Sequence, residues 1–339
     1  MCDVKIMIVY PQLEDNEINE LMGNRLEAGY FDTIIDYDCD CYRQDEEDGK
    51  LKLLFKFRKN VISKKNCDIT YKAIEKHAKQ KQNSRYIAGG KLEKINNRKQ
   101  GVTSNIMGYI DLIIQSMKAE YDKAGVQYPK YRSASFNNAH PEKFKQIIPL
   151  IQEVENCYKE LVPDKYNIQK EACSQLNQVV GDTCFSTITT NFNLQTGCHY
   201  DKGDFDEGFG NLIVLERGNY KGGYTGFPKY GVAVDVRQGD FLAMDVHQLH
   251  GNEPIISESE DDVRLSIVCY LRKNLLKLKN VPNLEYPYQE WDLVKALACK
   301  KGKIPVPKSK KINWVKYLDL TQLELEEKIA EIKLSQLSL

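Results

Sequence analysis

The triplet His199-Tyr200-Asp201 restricts the fold of this chain more than any other feature of its sequence. In a β-strand alternate side chains face the same way, so His199 and Asp201 would point together into the mouth of a barrel while Tyr200 points elsewhere. A further histidine follows in Gln248-Leu249-His250-Gly251, and an Arg-x-Ser pair begins at Arg264. The triplet therefore predicts a site assembled from separate strands of one β-structure.

Two histidines and one carboxylate are the ligands that non-haem Fe(II) oxygenases use, because this set leaves coordination positions open for a co-substrate and O2. We predict that His199, Asp201 and His250 bind iron. A lone His-x-Asp is a weak signal, since a histidine on a half-buried strand commonly forms only hydrogen bonds. Three of the five histidines lie between positions 199 and 250, in order before Arg264, and this favours the metal site.

His247 competes with His250 for the role of second histidine ligand. The alternation of side chains along a strand does not show which of the two histidines faces the site, because the end of the strand is uncertain by a few residues. We select His250, which lies in Leu-His-Gly-Asn-x-Pro, where the chain turns away after the ligand. In this interpretation His247 supports the site from outside or is exposed.

The last strand of the β region carries a row of polar side chains. By the two-residue period, one face of it holds Arg264, Ser266, Val268, Tyr270 and Arg272. We expect Arg264 and Ser266 to hold the distal carboxylate of 2-oxoglutarate, because a guanidinium pairs with a carboxylate through parallel hydrogen bonds. The alternative is a surface salt bridge, which leaves an Arg-x-Ser at this distance from a histidine unexplained.

The order of patterns along the chain predicts an α+β fold. Short strands between Gly, Asn and Asp turns predict a double-stranded β-helix (jelly-roll, cupin-like) core over 187–192, 211–215, 231–236, 240–246 and 264–271. Helices are predicted over 17–26, 69–81, 105–119, 141–161 and 318–337, strands over 4–10 and 51–57, and loops over 85–90 and 95–101. We divide the chain into an N-terminal acidic and basic extension (1–100), a core (101–275) and a C-terminal basic and helical extension (276–339).

The charges are unevenly distributed although the net charge is zero. An acidic stretch over 32–48 precedes a basic segment, 50–101, which carries sixteen Lys or Arg against three Asp or Glu. This basic segment predicts either a surface for a polyanion or the solvated face of a helix, and charge alone favours neither.

Composition excludes some classes of protein. Hydrophobic residues make up 42% and charged residues 28%, near globular averages, and no apolar run is long enough to span a bilayer. The N-terminus lacks the pattern of a secretory signal. Ten cysteines without a C-x2-C pair predict reduced thiols. We expect an intracellular protein of the cytoplasm or nucleus, or of a host cell if viral, with no membrane and no evident stable protein partner.

Several motifs resemble the TET and J-binding-protein (TET/JBP) family of Fe(II)/2-oxoglutarate-dependent dioxygenases, over about residues 98–274. The matching pieces are residues 199–204, 222–224, 249–254 and 264–270, with 104–109 and 132–136 upstream. The resemblance implies Fe(II), 2-oxoglutarate and O2 as cofactors and co-substrates. It implies hydroxylation of the 5-methyl group of thymine or 5-methylcytosine in double-stranded DNA, with the target base flipped out.

The same resemblance implies contacts with the base. Asp204 stands where family members have an Asn or Asp that contacts the Watson–Crick edge, and Tyr270 would pack on the base. Arg272 stands where several 5-methylcytosine oxidisers have a histidine. We also include Asn191 and Arg98 among the substrate-binding residues. A carboxylate at Asp204 accepts from the cytosine amine or from thymine N3–H, so the identity of the base stays open.

Two other functions compete with DNA oxidation. A 2-oxoglutarate-dependent protein or amino-acid hydroxylase of the same superfamily would keep the iron ligands and would not need a basic surface. A non-enzymatic DNA-binding module would be expected to have lost part of the site. The complete set of His199, Asp201, His250 and Arg264 argues against that module.

Overall fold

The structure is a computed structural model that describes residues 4–82, 94–95, 98–99, 101–281, 288–308 and 312–335. The loop predicted at 85–90 lies outside the described residues. Parts of the predicted loop at 95–101 and the end of the predicted C-terminal helix also lie outside them. The nine cysteines in the described part are free thiols, and eight of them are buried.

Two facing β-sheets form the centre of the molecule. In chain order the strands are β1 (Lys5–Val9), β2 (Thr33–Ile35), β3 (Cys39–Gln44), β4 (Leu51–Arg58), β5 (Lys94–Ile95), β6 (Arg98–Lys99), β7 (Ser104–Leu112), β8 (Tyr131–Ser133), β9 (Thr187–Phe192), β10 (Gly210–Arg217), β11 (Tyr220–Gly222), β12 (Thr225–Phe227), β13 (Val232–Val234), β14 (Phe241–Met244), β15 (Gly251–Asn252), β16 (Ile255–Ser257) and β17 (Val263–Tyr270). The main sheet has the order β1-β3-β4-β14-β10-β17-β9-β7-β8, and the minor sheet β15-β12-β13-β2. Two further pairs, β11-β16 and β5-β6, complete the described strands.

Side chains from the two sheets interlock in a shared apolar layer. Phe55 of β4 stacks on Phe227 of β12 with ring centroids 5.9 Å apart. Val232 and Val234 of β13 and Leu242 of β14 belong to the same buried cluster. Burial of such side chains stabilises the sandwich by roughly 1.5–3 kcal/mol for each large residue. The predicted α+β fold with a jelly-roll core is confirmed.

Helices cover the outer face of the main sheet and one end of the molecule. They are α1 (Asp15–Leu21), α2 (Lys64–Ala78), α3 (Gln115–Ala124), α4 (Ser135–Ala139), α5 (Pro141–Leu161), α6 (Pro163–Cys173), α7 (Tyr288–Lys300) and α8 (Gln322–Ser335), with 3-10 turns at Pro228–Tyr230, Lys273–Leu278 and Asn313–Tyr317. Helices α2 and α5 share the core of the main sheet, whereas α3, α7 and α8 share a separate apolar cluster. Among the described helices, none is long and apolar enough to cross a membrane.

The segment 105–119 is the clearest error among the predicted elements. It was expected to be helical, but Ser104–Leu112 is strand β7, and helix α3 begins only at Gln115. Strand β7 lies between β9 and β8 in the main sheet, and residues on both of its faces, such as Met107 and Gly108, are buried. A strand that is covered on both faces carries apolar residues without strict alternation, and its spacing then resembles that of a helix.

Two further predictions are wrong in part. The helix predicted over 17–26 ends at Leu21, before Gly23 with its left-handed φ of 74°, and the described part of the loop predicted over 95–101 contains residues of strands β5 and β6. The other predicted elements agree with the structure more closely. Helix α5 and strand β9 have the predicted bounds, and the remaining strands of the β region differ by a few residues at their ends. Helix α5 begins at Pro141, which suits the first helical position because its missing N–H would have had no partner there.

The N-terminal segment contributes strands to both sheets. Strand β4 pairs with β14, and β3 and β1 extend the main sheet beyond it. Strand β2 pairs in parallel with β13 of the minor sheet. Residues 5–58, which were assigned to an extension, therefore supply strands to the layers that support the site.

Candidate metal centre

The side chains of His199, Asp201 and His250 converge at the mouth of the two sheets. The Nε2 atoms of His199 and His250 each lie 3.6 Å from a carboxylate oxygen of Asp201. The two imidazole centroids are 4.4 Å apart. One potential ligand atom from each residue lies within 4.8 Å of the other two, and this is the only such group of three or more His, Cys, Asp or Glu in the described part of the chain.

Backbone hydrogen bonds hold both histidines in the orientation that metal binding needs. The residues face each other across an antiparallel bridge, with His199 N–H donating to the His250 carbonyl (2.9 Å) and His250 N–H donating to the His199 carbonyl (3.0 Å). The Nδ1 of His199 contacts the Gly197 carbonyl at 2.7 Å, and that of His250 contacts the Gln248 carbonyl at 2.9 Å. A carbonyl only accepts, so each Nδ1 carries the proton and each Nε2 keeps a lone pair.

The environment of these residues fits a divalent cation. Burial lowers the pKa of His250, but the hydrogen bond and the charge of Asp201 outweigh burial and leave this pKa raised. The carboxylate therefore attracts positive charge to the point where the two Nε2 lone pairs converge. Two imidazoles and one carboxylate, with the other side open to a pocket, are the donor set of a non-haem Fe(II) site.

His247 points away from this centre. Its Nε2 lies 3.2 Å from the carbonyl of Phe205, and its backbone N–H donates to the Asp245 carboxylate at 3.1 Å. His247 lies within a turn at 245–248, which is closed by a hydrogen bond from Gln248 N–H to the Asp245 carbonyl. His250 follows after this turn. The structure thus brings His250, and not His247, beside Asp201.

Arg264 occupies one end of the pocket that contains the three converging residues. It is 3% exposed, and one terminal nitrogen lies 3.5 Å from the hydroxyl of Thr225. Burial lowers the pKa of its guanidinium. It forms no salt bridge with any Asp or Glu in the described residues, although a buried cation is strongly stabilised by an anionic partner. The Arg264 end therefore suits a carboxylate ligand.

Ser266 and Asn191 lie beside Arg264 on adjacent strands. They are paired across β17 and β9, and the Asn191 amide donates to the Ser266 hydroxyl at 3.4 Å. Asn191 was expected to contact the substrate, and the structure places it at the Arg264 end of the pocket. Ser266 occupies the position expected from the alternation along β17, since Arg264, Ser266, Val268, Tyr270 and Arg272 all line this pocket.

Sequence reasoning missed two polar residues at the Arg264 end. Thr225 contacts Arg264, and no motif pointed to it. The side-chain oxygen of Asn252 accepts hydrogen bonds from Thr196. Its amide nitrogen is buried and has no hydrogen-bond partner among the described residues. Asn252 lies two residues after His250 in the Leu-His-Gly-Asn motif, which is the signal that could have identified it.

Asp204, Tyr270 and Arg272 lie at the other end of the pocket. Asp204 and Arg272 face each other across an antiparallel bridge, and the Tyr270 hydroxyl lies 3.2 Å from that of Thr189. The Arg272 side chain is 31% exposed, and its Nε lies 3.6 Å from the carboxylate of Asp111. These residues present an acceptor, an aromatic ring and a donor along one wall.

Gly203 gives the Arg272 side chain its space. A Cβ at position 203 would lie 2.3 Å from a terminal nitrogen of Arg272, too close for any real contact. The guanidinium therefore lies directly over the backbone of the residue before Asp204, which keeps the two charged groups at the same end of the pocket.

The basic segment 50–101 divides into three regions with different positions. The first is strand β4, where Lys52, Lys56 and Arg58 form salt bridges with Asp45 and Asp40. Helix α2 packs its apolar side on the face of the main sheet opposite the pocket, and Lys65, Lys72 and Lys76 are exposed there. Strands β5 and β6 instead form a hairpin between Gln82 and Val102, which exchange two backbone hydrogen bonds of 2.7 and 2.9 Å. Arg98 is in this hairpin, and its predicted substrate contact lies outside the described side chains.

Comparison with known proteins identifies the segment that contains the site. Residues 116–273 match the family Tet_JBP, described as the oxygenase domain of the 2OGFeDO superfamily. The bifunctional helicase and thymine dioxygenase JBP2 of Leishmania tarentolae is 37% identical over 147 residues, which are 43% of this chain and 13% of that protein. Thymine dioxygenase JBP1 of Trypanosoma brucei brucei is 34% identical over 148 residues, 43% of this chain and 17% of that protein.

The solved structure of NgTET1 in complex with 5mC DNA covers 80% of this chain and 84% of its own, with 11% identity and a TM-score of 0.48. The matches to JBP2 and JBP1 span less than a fifth of those relatives. The segment matched by the family model includes the three converging ligands and Arg264, since all four residues lie within 116–273. Residues 116–273 of this chain, which contain the site, therefore match the model of the Tet_JBP oxygenase domain.

Proposed function

We propose that this protein is an Fe(II)/2-oxoglutarate-dependent dioxygenase that hydroxylates the 5-methyl group of a pyrimidine in DNA. One observation carries the proposal. A single pocket holds the His199, Asp201 and His250 group between an end built for a carboxylate and an end lined by Asp204, Tyr270 and Arg272. A co-substrate and a planar base can therefore approach the same metal from opposite sides.

The residues at the Arg264 end would fix the co-substrate. His199, Asp201 and His250 would hold Fe(II), and Arg264 with Ser266 would hold the distal carboxylate of 2-oxoglutarate. When bound, the iron with 2-oxoglutarate and O2 supplies the oxidising power to hydroxylate an unactivated methyl group, with succinate and CO2 as the other products. The buried Asn252 amide nitrogen is positioned to donate a further hydrogen bond in this end of the pocket.

The residues at the other end would hold the base. A base within a duplex does not reach a recessed metal, so the nucleotide must be flipped out at a cost of about a few kcal/mol. The Tyr270 ring offers a stacking surface, Asp204 accepts from a base N–H, and Arg272 donates to a base carbonyl. Thymine is the first candidate, because its edge offers two carbonyls and one N–H and because both JBP relatives are named thymine dioxygenases.

Phosphate contacts would come from the hairpin and not from helix α2. The chain between Gln82 and Val102 carries five Lys or Arg against one Glu in residues 83–101. Its base adjoins Ser104, which lines the pocket. Contacts between such residues and the DNA backbone would offset the cost of flipping and make binding salt-dependent.

The test is a reaction with defined DNA. The purified chain is incubated with Fe(II), 2-oxoglutarate and duplexes that contain either thymine or 5-methylcytosine, and the nucleosides are analysed by mass spectrometry. We expect a hydroxymethyl pyrimidine with the wild type and none with His199→Ala or Asp201→Ala. His247→Ala is the matched control, because this histidine points away from the centre. Unchanged nucleosides with both duplexes, together with succinate formation on a peptide or free amino acid, would instead establish the alternative hydroxylase.

A further inference from the structure

A segment outside the matched oxygenase domain lies against the two histidine ligands. We call residues 22–31 the strap. Gly23 N–H donates to the Cys198 carbonyl at 2.7 Å, and Cys198 N–H donates to the Asn24 carbonyl at 2.8 Å. The backbone of the strap is therefore bonded on both sides of one peptide unit to Cys198, the residue that immediately precedes His199.

Gln195 joins the strap to the strand that follows the second histidine. Its amide nitrogen donates to the carbonyl of Leu26 in the strap at 2.6 Å and to the carbonyl of Asn252 at 3.1 Å. One side chain thus connects three segments of the chain, two of which carry metal ligands.

Glu253 fixes the far end of the strap. It lies three residues after His250 and is 3% exposed. One carboxylate oxygen accepts from Gly29 N–H and the other from Phe31 N–H, both at 3.1 Å. No described Lys, Arg or His forms a salt bridge with Glu253, so the strap amides are the groups that stabilise its charge. Hydrogen bonds of this kind are about twice as strong as those between neutral groups.

Apolar packing beneath the strap uses the neighbours of the ligands in sequence. Leu26 and Phe31 share a buried cluster with Cys198, which precedes His199, and with Leu249, which precedes His250. Gly226 of β12 leaves room for Phe31, since a Cβ there would lie 2.3 Å from the Phe31 ring. Cys198 and Leu249 each precede a histidine ligand, so their side chains face away from the ligands. Packing against the strap fixes these two side chains and thereby the direction in which the ligands point.

We propose that Glu253 is a positioning residue for the metal centre, acting through the strap on the backbone of His199 and His250. The inference rests on the proposed metal site and extends it. It implies that the residues that hold the metal ligands in place are not all within 116–273, because the strap comes from residues 22–31. Groups that orient metal ligands typically contribute about 10–100-fold to metal affinity.

The experiment compares Glu253→Gln with the wild type in the full chain. Gln keeps the shape but places an NH2 group against one strap N–H, so one accepted bond is lost. We expect Co(II), used as an oxygen-stable probe, to bind about 10-fold or more weakly by calorimetry and to show an altered d–d absorption spectrum. Glu253→Asp, which retains the charge, should recover part of the affinity.

Glu153→Gln is the matched control. Glu153 also accepts from the backbone N–H of an N-terminal residue, Ser63 at 3.0 Å, but it belongs to α5 on the opposite face of the main sheet. We expect this variant to bind Co(II) with wild-type affinity and spectrum. If Glu253→Gln does not fold, Glu253→Asp carries the test of this residue, and Gln195→Met tests whether the strap acts on the ligand backbone, because it removes the bonds from the Gln195 amide to Leu26 and Asn252.

The outcomes separate the two proposals. Wild-type affinity and an unchanged Co(II) spectrum in folded Glu253→Gln would overturn the role of Glu253 while the metal site stands. An equal loss in Glu153→Gln would also overturn it, since the effect would then be one of general stability. Failure of the wild type itself to bind Co(II) or Fe(II) would overturn the proposed function, and with it this inference.

Discussion

The two arginines of the pocket differ in burial and in partners. Arg264 is almost fully buried and has no described carboxylate partner, whereas the side chain of Arg272 is about a third exposed and lies beside Asp111. A buried cation without a counter-ion is costly, so the Arg264 end favours an anionic ligand strongly. An arginine that is about a third exposed and lies beside a carboxylate attracts an anion less strongly, and it is better suited to selecting among neutral ligands by hydrogen-bond geometry.

The difference between Arg264 and Arg272 indicates how the binding free energy is divided between the co-substrate and the base. At the Arg264 end, one charged pair would provide most of the affinity for the co-substrate. At the Arg272 end, several smaller contacts would select the base. Substitutions at the two ends should therefore affect different kinetic constants and differ in size.

The largest effect is expected at Arg264. Arg264→Met removes the buried charge and keeps most of the apolar stem. Loss of two charge-assisted hydrogen bonds would cost about 3 kcal/mol, or raise the required 2-oxoglutarate concentration about 100-fold. Initial rates of succinate formation at varied 2-oxoglutarate measure this change. Arg217→Met is the control, because Arg217 packs over Tyr71 of α2 on the outer face. An unchanged 2-oxoglutarate requirement in Arg264→Met would remove the distinction between the two ends.

A smaller and different effect is expected at Arg272. Arg272→Ala should lower kcat/KM for DNA about 10-fold, because one good contact with a base edge is worth about 1–3 kcal/mol. The KM for 2-oxoglutarate should stay at the wild-type value. Competition between thymine and 5-methylcytosine duplexes, read by mass spectrometry, should show a change in preference in Arg272→His. If Arg272→Ala instead raised the KM for 2-oxoglutarate, the residue would belong to the co-substrate end.

The smallest effect is expected at Asp111. Asp111→Asn removes the charge that lies 3.6 Å from Arg272 and leaves the arginine in place. Partly exposed ion pairs contribute about 0–1 kcal/mol, so kcat/KM for DNA should fall by at most about 5-fold. In the double variant Asp111→Asn with Arg272→Ala, the Asp111 substitution should have no further effect. A full additional loss in the double variant would show that Asp111 acts independently of Arg272.

The periodicity of β17 explains why much of the site could be predicted. A strand with one face in the pocket places Arg264, Ser266 and Tyr270 on that face by geometry alone, so the row could be identified from the sequence. The choice between His247 and His250 could not be made in this way. It depends on the turn at 245–248, and the length of such a turn is not encoded in a two-residue period.

Contacts between distant segments account for what the sequence did not indicate. Thr225 and Asn252 lie in the pocket because β12 and β15 pair in the minor sheet, and neither residue has a distinctive local pattern. Strands β1 to β4 join the core through β13 and β14, which lie more than 170 residues away along the chain. The spacing of apolar residues in β7 resembles that of a helix because residues on both faces of this strand are buried.

The mutual backbone bonds of His199 and His250 make the two ligands a symmetric pair. Each imidazole is also anchored to the carbonyl two residues before it, so the same local device occurs twice, once on each side of the centre. Little conformational freedom then has to be lost when a cation arrives, and the entropic penalty of binding is small. An arriving cation would therefore meet two imidazoles that are already oriented, and it would not have to order them.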